Sequence, residues 1–298
     1  MKRLTCLALL ACGSTGPSAD DAGATAAAPT LQLVSEKRFD KLLPAAGDLE
    51  ASGLTVVQGK LWVVMDNSRA VAQVGADLGS ATLGPGAAGA SQYEGVTTSS
   101  DGRIFAVREL ESDVDRRSKI VELGIDGAPI DEAFADRVFP SRQGFEGLAA
   151  LPSASGDPTL LALCQGNECD DAPKDVGKGR IDVLRRSGAG WVTIRTLELP
   201  RAVAFASYSD LALRTRSDER LDVAVVSRGS RALWLGVLDA TTVTFVGTGA
   251  IYTFPERYCA LEGVTFLSAS TFAFASDADS GCKSTEQSLH VFALAAGS

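Results

Sequence analysis

Histidine is almost missing from this chain: its 298 residues carry one, His290. That leaves little room for zinc or copper held by imidazoles. A Ser–His–Asp nucleophile would have to be built on a histidine inside a strand-like stretch, SLHVFAL, so such a triad is not expected. Basic residues are also short, 28 Lys and Arg against 37 Asp and Glu, for a net charge of −9. This argues against binding nucleic acid or an anionic lipid surface, which both need a basic face, and leaves metal ions and cationic ligands open. The sequence has no CxxC pair, no glycine-rich phosphate loop, no dinucleotide fingerprint and no EF-hand spacing. No apolar run approaches the ~18 residues of a spanning helix, and no 3.6-residue apolar period is sustained. What is present is a globular composition, 45% hydrophobic and 22% charged.

The N-terminus reads as an export signal. Lys2 and Arg3 precede the short apolar stretch Leu4–Ala11. Leu9-Leu10-Ala11-Cys12 resembles the bacterial lipobox, which implies removal of residues 1–11 and lipidation of Cys12. Gly13, where an Asp would hold a lipoprotein at the inner membrane, points to the outer membrane. An ordinary secretory signal is the alternative. Residues 12–30, small and polar, read as a flexible tether, and residues 31–298 as the folded domain. The membrane is then reached through the lipid anchor alone.

Four cysteines remain after that processing: Cys164, Cys169, Cys259 and Cys282. In an exported protein an even remainder favours disulfides. Of three possible connectivities, the local pairing Cys164–Cys169 and Cys259–Cys282 closes the shortest loops. A zinc site is the competing use of these thiols.

A short motif, polar residue then Gly or Asp then Leu or Val, recurs five times. It appears at Ser52-Gly53-Leu54, Glu94-Gly95-Val96, Glu146-Gly147-Leu148, Ser209-Asp210-Leu211 and Glu262-Gly263-Val264. Each copy is followed by a nearly unbroken apolar run: Leu61–Met65, Ile104–Val107, Leu160–Cys164, Leu221–Val226 and Phe272–Ala275. Runs this short and this rich in β-branched and aromatic residues read as strands, and their lack of alternation implies cover on both faces. Third strands follow at Val71–Val74, Lys119–Leu123, Arg180–Leu184, Leu233–Leu238 and Ser288–Leu294. Fourth strands are expected at Ala81–Leu83, Ala133–Phe139, Val192–Leu199 and Val243–Ile251. The last copy lacks a fourth strand, and Leu31–Phe39 is a strand without a partner. The economical solution is an all-β propeller of five four-stranded blades, closed by the N-terminal strand, which leaves no sheet edge open. Six blades, with one hidden in the 63-residue interval between the third and fourth motifs, is the alternative.

The ordered motifs resemble the SdiA-regulated family of bacterial propellers. The resemblance rests on Glu50-Ala51-Ser52-Gly53-Leu54, Glu94-Gly95-Val96 with Val107-Arg108-Glu109, and Phe145-Glu146-Gly147-Leu148. It continues through Tyr208-Ser209-Asp210-Leu211 with Ser227-Arg228-Gly229-Ser230, and Glu262-Gly263-Val264. It implies a propeller of five or six blades that in some members holds a divalent metal. Esterase-like phytase domains and gluconolactonase-type lactonases are similar at this level.

In antiparallel strands the start of one lies beside the end of the next, so residues opening each first strand share a rim with those closing each second strand. Eight carboxylates fall there: Glu50, Asp66, Glu94, Glu109, Glu146, Asp210, Glu262 and Asp277. Crowded like charges in a partly dry funnel raise one another's pKa unless a cation intervenes. Oxygen donors without imidazole or thiolate suit calcium or magnesium, so a calcium-type site at one channel mouth is the functional expectation. The competing structural reading is that these groups accept backbone N–H bonds between blades, or pair with Arg108 and Arg228. Asp170, Asp171 and Asp175 form a second acidic loop that reads as solvated surface, and Trp62, Trp191 and Trp234 read as packing.

The sequence thus points to an envelope lipoprotein, monomeric, that binds a small ligand or an envelope protein, with calcium as its possible cofactor. It leans away from an enzyme. The alternative is a metal-dependent esterase or lactonase, or a phytase-like hydrolase, with a glutamate as base. The scattered arginines and the negative charge fit a phosphate-binding phytase pocket poorly.

Overall fold

The computed structural model describes residues 30–86, 91–109, 115–140, 143–153, 156–170, 176–216, 219–282 and 285–295. The expected leader, residues 12–29 of the expected tether with Cys12, and Asp171 and Asp175 of the acidic loop lie outside them. Five antiparallel sheets surround one axis. Blade I is Ala51–Val57, Lys60–Met65, Ala72–Gly75 and Ala81–Leu83, and blade II is Tyr93–Thr98, Ile104–Arg108, Lys119–Leu123 and Pro129–Phe134. Blade III is Phe145–Ala150, Thr159–Cys164, Arg180–Ser187 and Gly190–Glu198. Blade IV is Asp210–Thr215, Arg220–Ser227 and Ala232–Asp239, with an outer edge split into Thr244–Phe245 and Ala250–Thr253. Blade V is Leu261–Phe266, Thr271–Ser276, Ser288–Leu294 and, outermost, the N-terminal Leu31–Arg38.

The second strands are buried along both faces because each blade is sandwiched between two others. Five hydrophobic clusters result, one per junction. Trp62, Val96 and Ile104 join blades I and II; Phe105, Phe145 and Trp191 join II and III. Leu161, Leu211 and Trp234 join III and IV; Phe254, Phe272 and Phe292 join IV and V; Leu61, Phe39 and Leu289 join V and I. All three tryptophans are therefore core.

Ring closure follows the expected course. Leu31 faces Leu294, Glu36 faces His290 and Arg38 faces Ser288 across antiparallel strands, with one bulge between Leu33 and Ser35. Among its described residues the 63-residue interval holds no sixth blade: it carries blade III alone, lengthened by the long hairpin Arg180–Ser187 and Gly190–Glu198 and by the connections that flank it.

Two outer strands differ from expectation. In blade II the turn at Gly127 (φ 86°) reverses the chain at once, so the fourth strand is Pro129–Phe134 rather than Ala133–Phe139. Ala135 then bridges to Trp191, and Phe139 enters the core between blades II and III. In blade IV the edge breaks where Gly247 and Gly249 both take positive φ, 71° and 70°. There the Trp234 Nε1–H donates to the Thr248 carbonyl at 2.9 Å, so the indole fills the space that a continuous edge strand would cross.

Both local disulfides are formed, Cys164–Cys169 and Cys259–Cys282, which removes the thiols from the zinc alternative. They fit an oxidising, exported environment. Among the described residues no helix is long and apolar enough to cross a membrane. The second bridge ties the loop entering blade V to the loop that carries Asp277 and Asp279. Its partners are 23 residues apart, so replacing both with serine should cost about 3 kcal/mol by loop entropy, read from chemical denaturation.

Candidate functional site: an acidic axial mouth

The motif places its residues through a repeated backbone irregularity. In blades I, III and V the register between first and second strands slips by one residue, between Ala51 and Gly53, Phe145 and Gly147, and Leu261 and Gly263. Blade II slips between Tyr93 and Val96. These are β-bulges, which re-aim a side chain that strict alternation would send between the blades. The residues in the bulges are Ser52, Glu94, Glu146 and Glu262. The following glycines let the inner strands meet backbone to backbone: a Cβ on Gly95 would stand 2.5 Å from the Leu148 nitrogen, and one on Gly147 2.6 Å from the Leu211 nitrogen.

Glu94, Glu146 and Glu262, from blades II, III and V, converge so that one carboxylate oxygen of each lies within 4.8 Å of the others. Glu94 and Glu146 are buried, and they hydrogen-bond to each other. Burial pushes both carboxyls well above the usual range, and their charged neighbours, Glu109 among them, push the same way. Burial also lifts Glu109 to about 7, with Asp66 and Glu262 adding to the rise. Glu262 is lifted to about 7 by burial even though Arg228 pulls it down. Asp66, Asp277 and Glu50 sit farther out and are raised by burial and by one another or by neighbouring acids.

Arg228 is the counter-charge. Its guanidinium donates to Glu262, to Asp277 Oδ2 at 3.1 Å and to Asp279 Oδ2 at 3.0 Å. Arg108 instead donates to the Ser91 carbonyl at 2.9 Å and to Glu132 at 3.1 Å, away from the trio. Asp279, which the sequence did not single out, belongs to the rim through Arg228.

Asp210 is not part of the trio. It occupies the glycine position of the motif, one step deeper, and is fully buried. The Leu211 and Val264 N–H groups donate to its two oxygens at 2.8 and 2.9 Å, and the N–H groups of Leu54 and Leu148 also reach it. Burial pushes this carboxyl up while the four amides pull it down. Every hydrogen-bonding neighbour is a donor, so a proton on either oxygen would meet an N–H. Asp210 is the axial plug that ties inner strands of blades I, III, IV and V together. Its lone pairs are taken by backbone, which removes it from the candidate ligands.

The single histidine does meet a serine and a carboxylate. His290 Nδ1 lies 3.2 Å from Glu36, and Nε2 lies 3.2 Å from Ser276 Oγ and 3.1 Å from the Thr285 carbonyl. This is not a nucleophile site. Ser276 and His290 are buried, and the serine hydroxyl donates to the Thr285 carbonyl at 2.6 Å. The array fastens the closing strand, through Glu36, to blade V.

No family model and no curated protein matches this chain. Solved structures do. A GH43 β-xylosidase/α-arabinofuranosidase from a compost microbial metagenome, in complex with xylotriose and in calcium-free form, aligns at 11% identity with a TM-score of 0.53. The alignment covers 90% of this chain and 94% of that one. Virginiamycin B lyase from Staphylococcus aureus aligns at 14% identity and TM-score 0.45, covering 89% and 100%. Hydrazine synthase from Kuenenia stuttgartiensis aligns at 12% and 0.44, over 78% of this chain and only 56% of that chain. The likeness is one of fold, the β-propeller, on which enzymes and binding proteins of many kinds are built.

Proposed function

We propose that the chain is an exported propeller that holds a calcium-type cation at the acidic mouth and binds a small ligand or envelope protein there. The observation that carries this reading is the convergence of Glu94, Glu146 and Glu262. Two oxygens on opposite sides of a calcium ion stand about 4.6–5.2 Å apart, so one ion could touch all three carboxylates without moving a strand. The donor set is oxygen only, which suits calcium or magnesium. Surrounding carboxylates outnumber Arg228, and a divalent ion supplies the missing charge. The lipobox-like segment ending at Cys12 and the resemblance to the SdiA-regulated family belong to the same reading, of an outer-membrane lipoprotein with its propeller beyond the tether.

Chelator-treated protein at pH 8 tests it. Saturating calcium at about a hundredfold excess over Kd should add about 2.7 kcal/mol, a rise in Tm of roughly 5–10 °C. Glu146→Gln keeps a neutral donor toward Glu94 in place of the protonated carboxyl, so it should melt about as high as wild type without metal, and should lose most of the calcium response. Equal melting with calcium and with chelator would reject the cation.

A second reading has one observation in its favour. Glu109 and Glu262 titrate near 7, where a carboxylate serves as general base. A metal-dependent esterase or lactonase at this mouth would hydrolyse an ester or lactone panel and stop when the chelator is added; a binding protein would show neither.

A further inference from the structure

One of the two disulfides stands between a proposed calcium ligand and the residues that hold Arg228. Cys259 lies three residues before Glu262, and Cys282 three residues after Asp279. One Asp279 carboxylate oxygen and both sulfurs lie within 4.8 Å of one another. Asp279 Oδ2 takes Arg228 at 3.0 Å, and the same guanidinium reaches Glu262 and Asp277. Bridge, Asp279, Arg228 and Glu262 thus form one continuous chain of contacts. The four bridged cysteines differ in exposure. Cys164, Cys169 and Cys282 are buried, whereas Cys259 is partly exposed, so an attacking thiolate has its approach at Cys259.

In the oxidised protein neither sulfur donates to Asp279 or carries a charge. Arg228 is then shared among three carboxylates, which leaves Glu262 lone pairs for an ion. After reduction each sulfur is a thiol, a donor beside Asp279. The covalent tie between the Asp277–Cys282 turn and the loop ahead of Glu262 is also gone. Asp277 stays pinned, since its N–H donates to the Ala260 carbonyl at 3.0 Å. Asp279 is the partner that shifts, and the guanidinium it gives up falls back on Glu262 and Asp277. A cation held more tightly by Glu262 competes with calcium for that carboxylate.

We propose that Cys259–Cys282 is a redox control on the acidic mouth: its reduction by a dithiol weakens calcium binding through Arg228. This rests on the cation reading of that mouth. A thiolate of the reductant attacks Cys259 Sγ, the bridge breaks and Cys282 departs as a thiolate. The second thiolate of the reductant then displaces Cys259. The dithiol is oxidised to its own disulfide, the bridge is reduced to two thiols, and the two protons of the dithiol end on the two cysteines.

The test is calcium titration calorimetry on the full chain, oxidised and after limiting dithiothreitol, with iodoacetamide labelling and peptide mapping to follow the thiols. Cys259 and Cys282 should be alkylated ahead of the buried pair Cys164 and Cys169, with the propeller still folded by circular dichroism. Calcium should bind the reduced protein about tenfold more weakly than the oxidised one. Arg228→Gln removes the group that carries the effect. It should bind calcium at least as tightly as oxidised wild type, and equally in both redox states. Equal alkylation of the two bridges overturns the proposal, as does unfolding on loss of this bridge alone. So does a redox effect of full size in folded Arg228→Gln; should that variant not fold, the wild-type comparison decides alone. Calcium binding that does not weaken on reduction rejects this proposal and leaves the cation reading standing, whereas no calcium binding by the oxidised protein rejects both.

Discussion

Asp210→Ala is expected to destabilise the protein by on the order of 4 kcal/mol, the largest effect of any single substitution at the axis. Four buried N–H groups, of Leu54, Leu148, Leu211 and Val264, would lose their common acceptor, at about 1–3 kcal/mol each, offset in part by relief of a buried carboxyl. Asp210→Asn separates charge and shape from acceptor capacity. Its one carbonyl oxygen can serve about two of the four donors, while its NH2 faces the others. Urea denaturation should place it well below wild type, though above the alanine variant. A wild-type midpoint for Asp210→Asn would contradict the assignment of Asp210 as a four-fold backbone acceptor.

The second large effect is a dependence of stability on pH that calcium reverses. Glu109 and Glu262 titrate at about 7 in the fold, against an ordinary value of 4.5, and Glu94 and Glu146 are also raised. A carboxyl raised by folding keeps its proton when the unfolded chain has released its own. Its contribution is therefore full below pH ~4.5 and is lost as pH rises to ~7, on the order of 3 kcal/mol for each group lifted to about 7. Metal-free protein should unfold several kcal/mol more easily at pH 8 than at pH 5. His290 acts with the opposite sign. Burial lowers its pKa despite Glu36 and the Thr285 carbonyl, so its contribution is lost as pH falls below 6.5. One histidine does not offset four glutamates. Calcium favours the ionised carboxylates and should flatten or invert the slope. Denaturation midpoints across pH 5–8, with calcium and with chelator, measure both; a metal-free protein that gains stability toward pH 8 would contradict the account.

Much of this architecture can be read from residue order. The five second strands, such as Leu61–Met65 and Phe272–Ala275, are unbroken apolar because two blade junctions cover them, and that cover shows in the sequence as missing alternation. The same reasoning found the closing strand, since Leu31–Arg38 has no partner until Ser288–Leu294 lacks one. The site was legible only in part. The motif brings Glu94, Glu146 and Glu262 to one column, but the bulges that aim them inward leave no mark in composition. Asp210 shares the motif with them but stands in its glycine column beside Gly53 and Gly263, and that offset is the sequence signal for its deeper position. The link between His290 and Glu36 joins residues 254 positions apart, beyond any local pattern. The outer strands of blades II and IV shifted because Gly127, Gly247 and Gly249 set turns that propensity alone does not locate.

The most direct measurement is a crystal structure of the protein grown with calcium, with anomalous scattering used to identify the ion. One peak is expected on the axis, within about 2.3–2.6 Å of an oxygen from each of Glu94, Glu146 and Glu262, with Asp210 still bound to its four amides. An axis without a peak, where Glu94 and Glu146 remain paired to each other at saturating calcium, would contradict it.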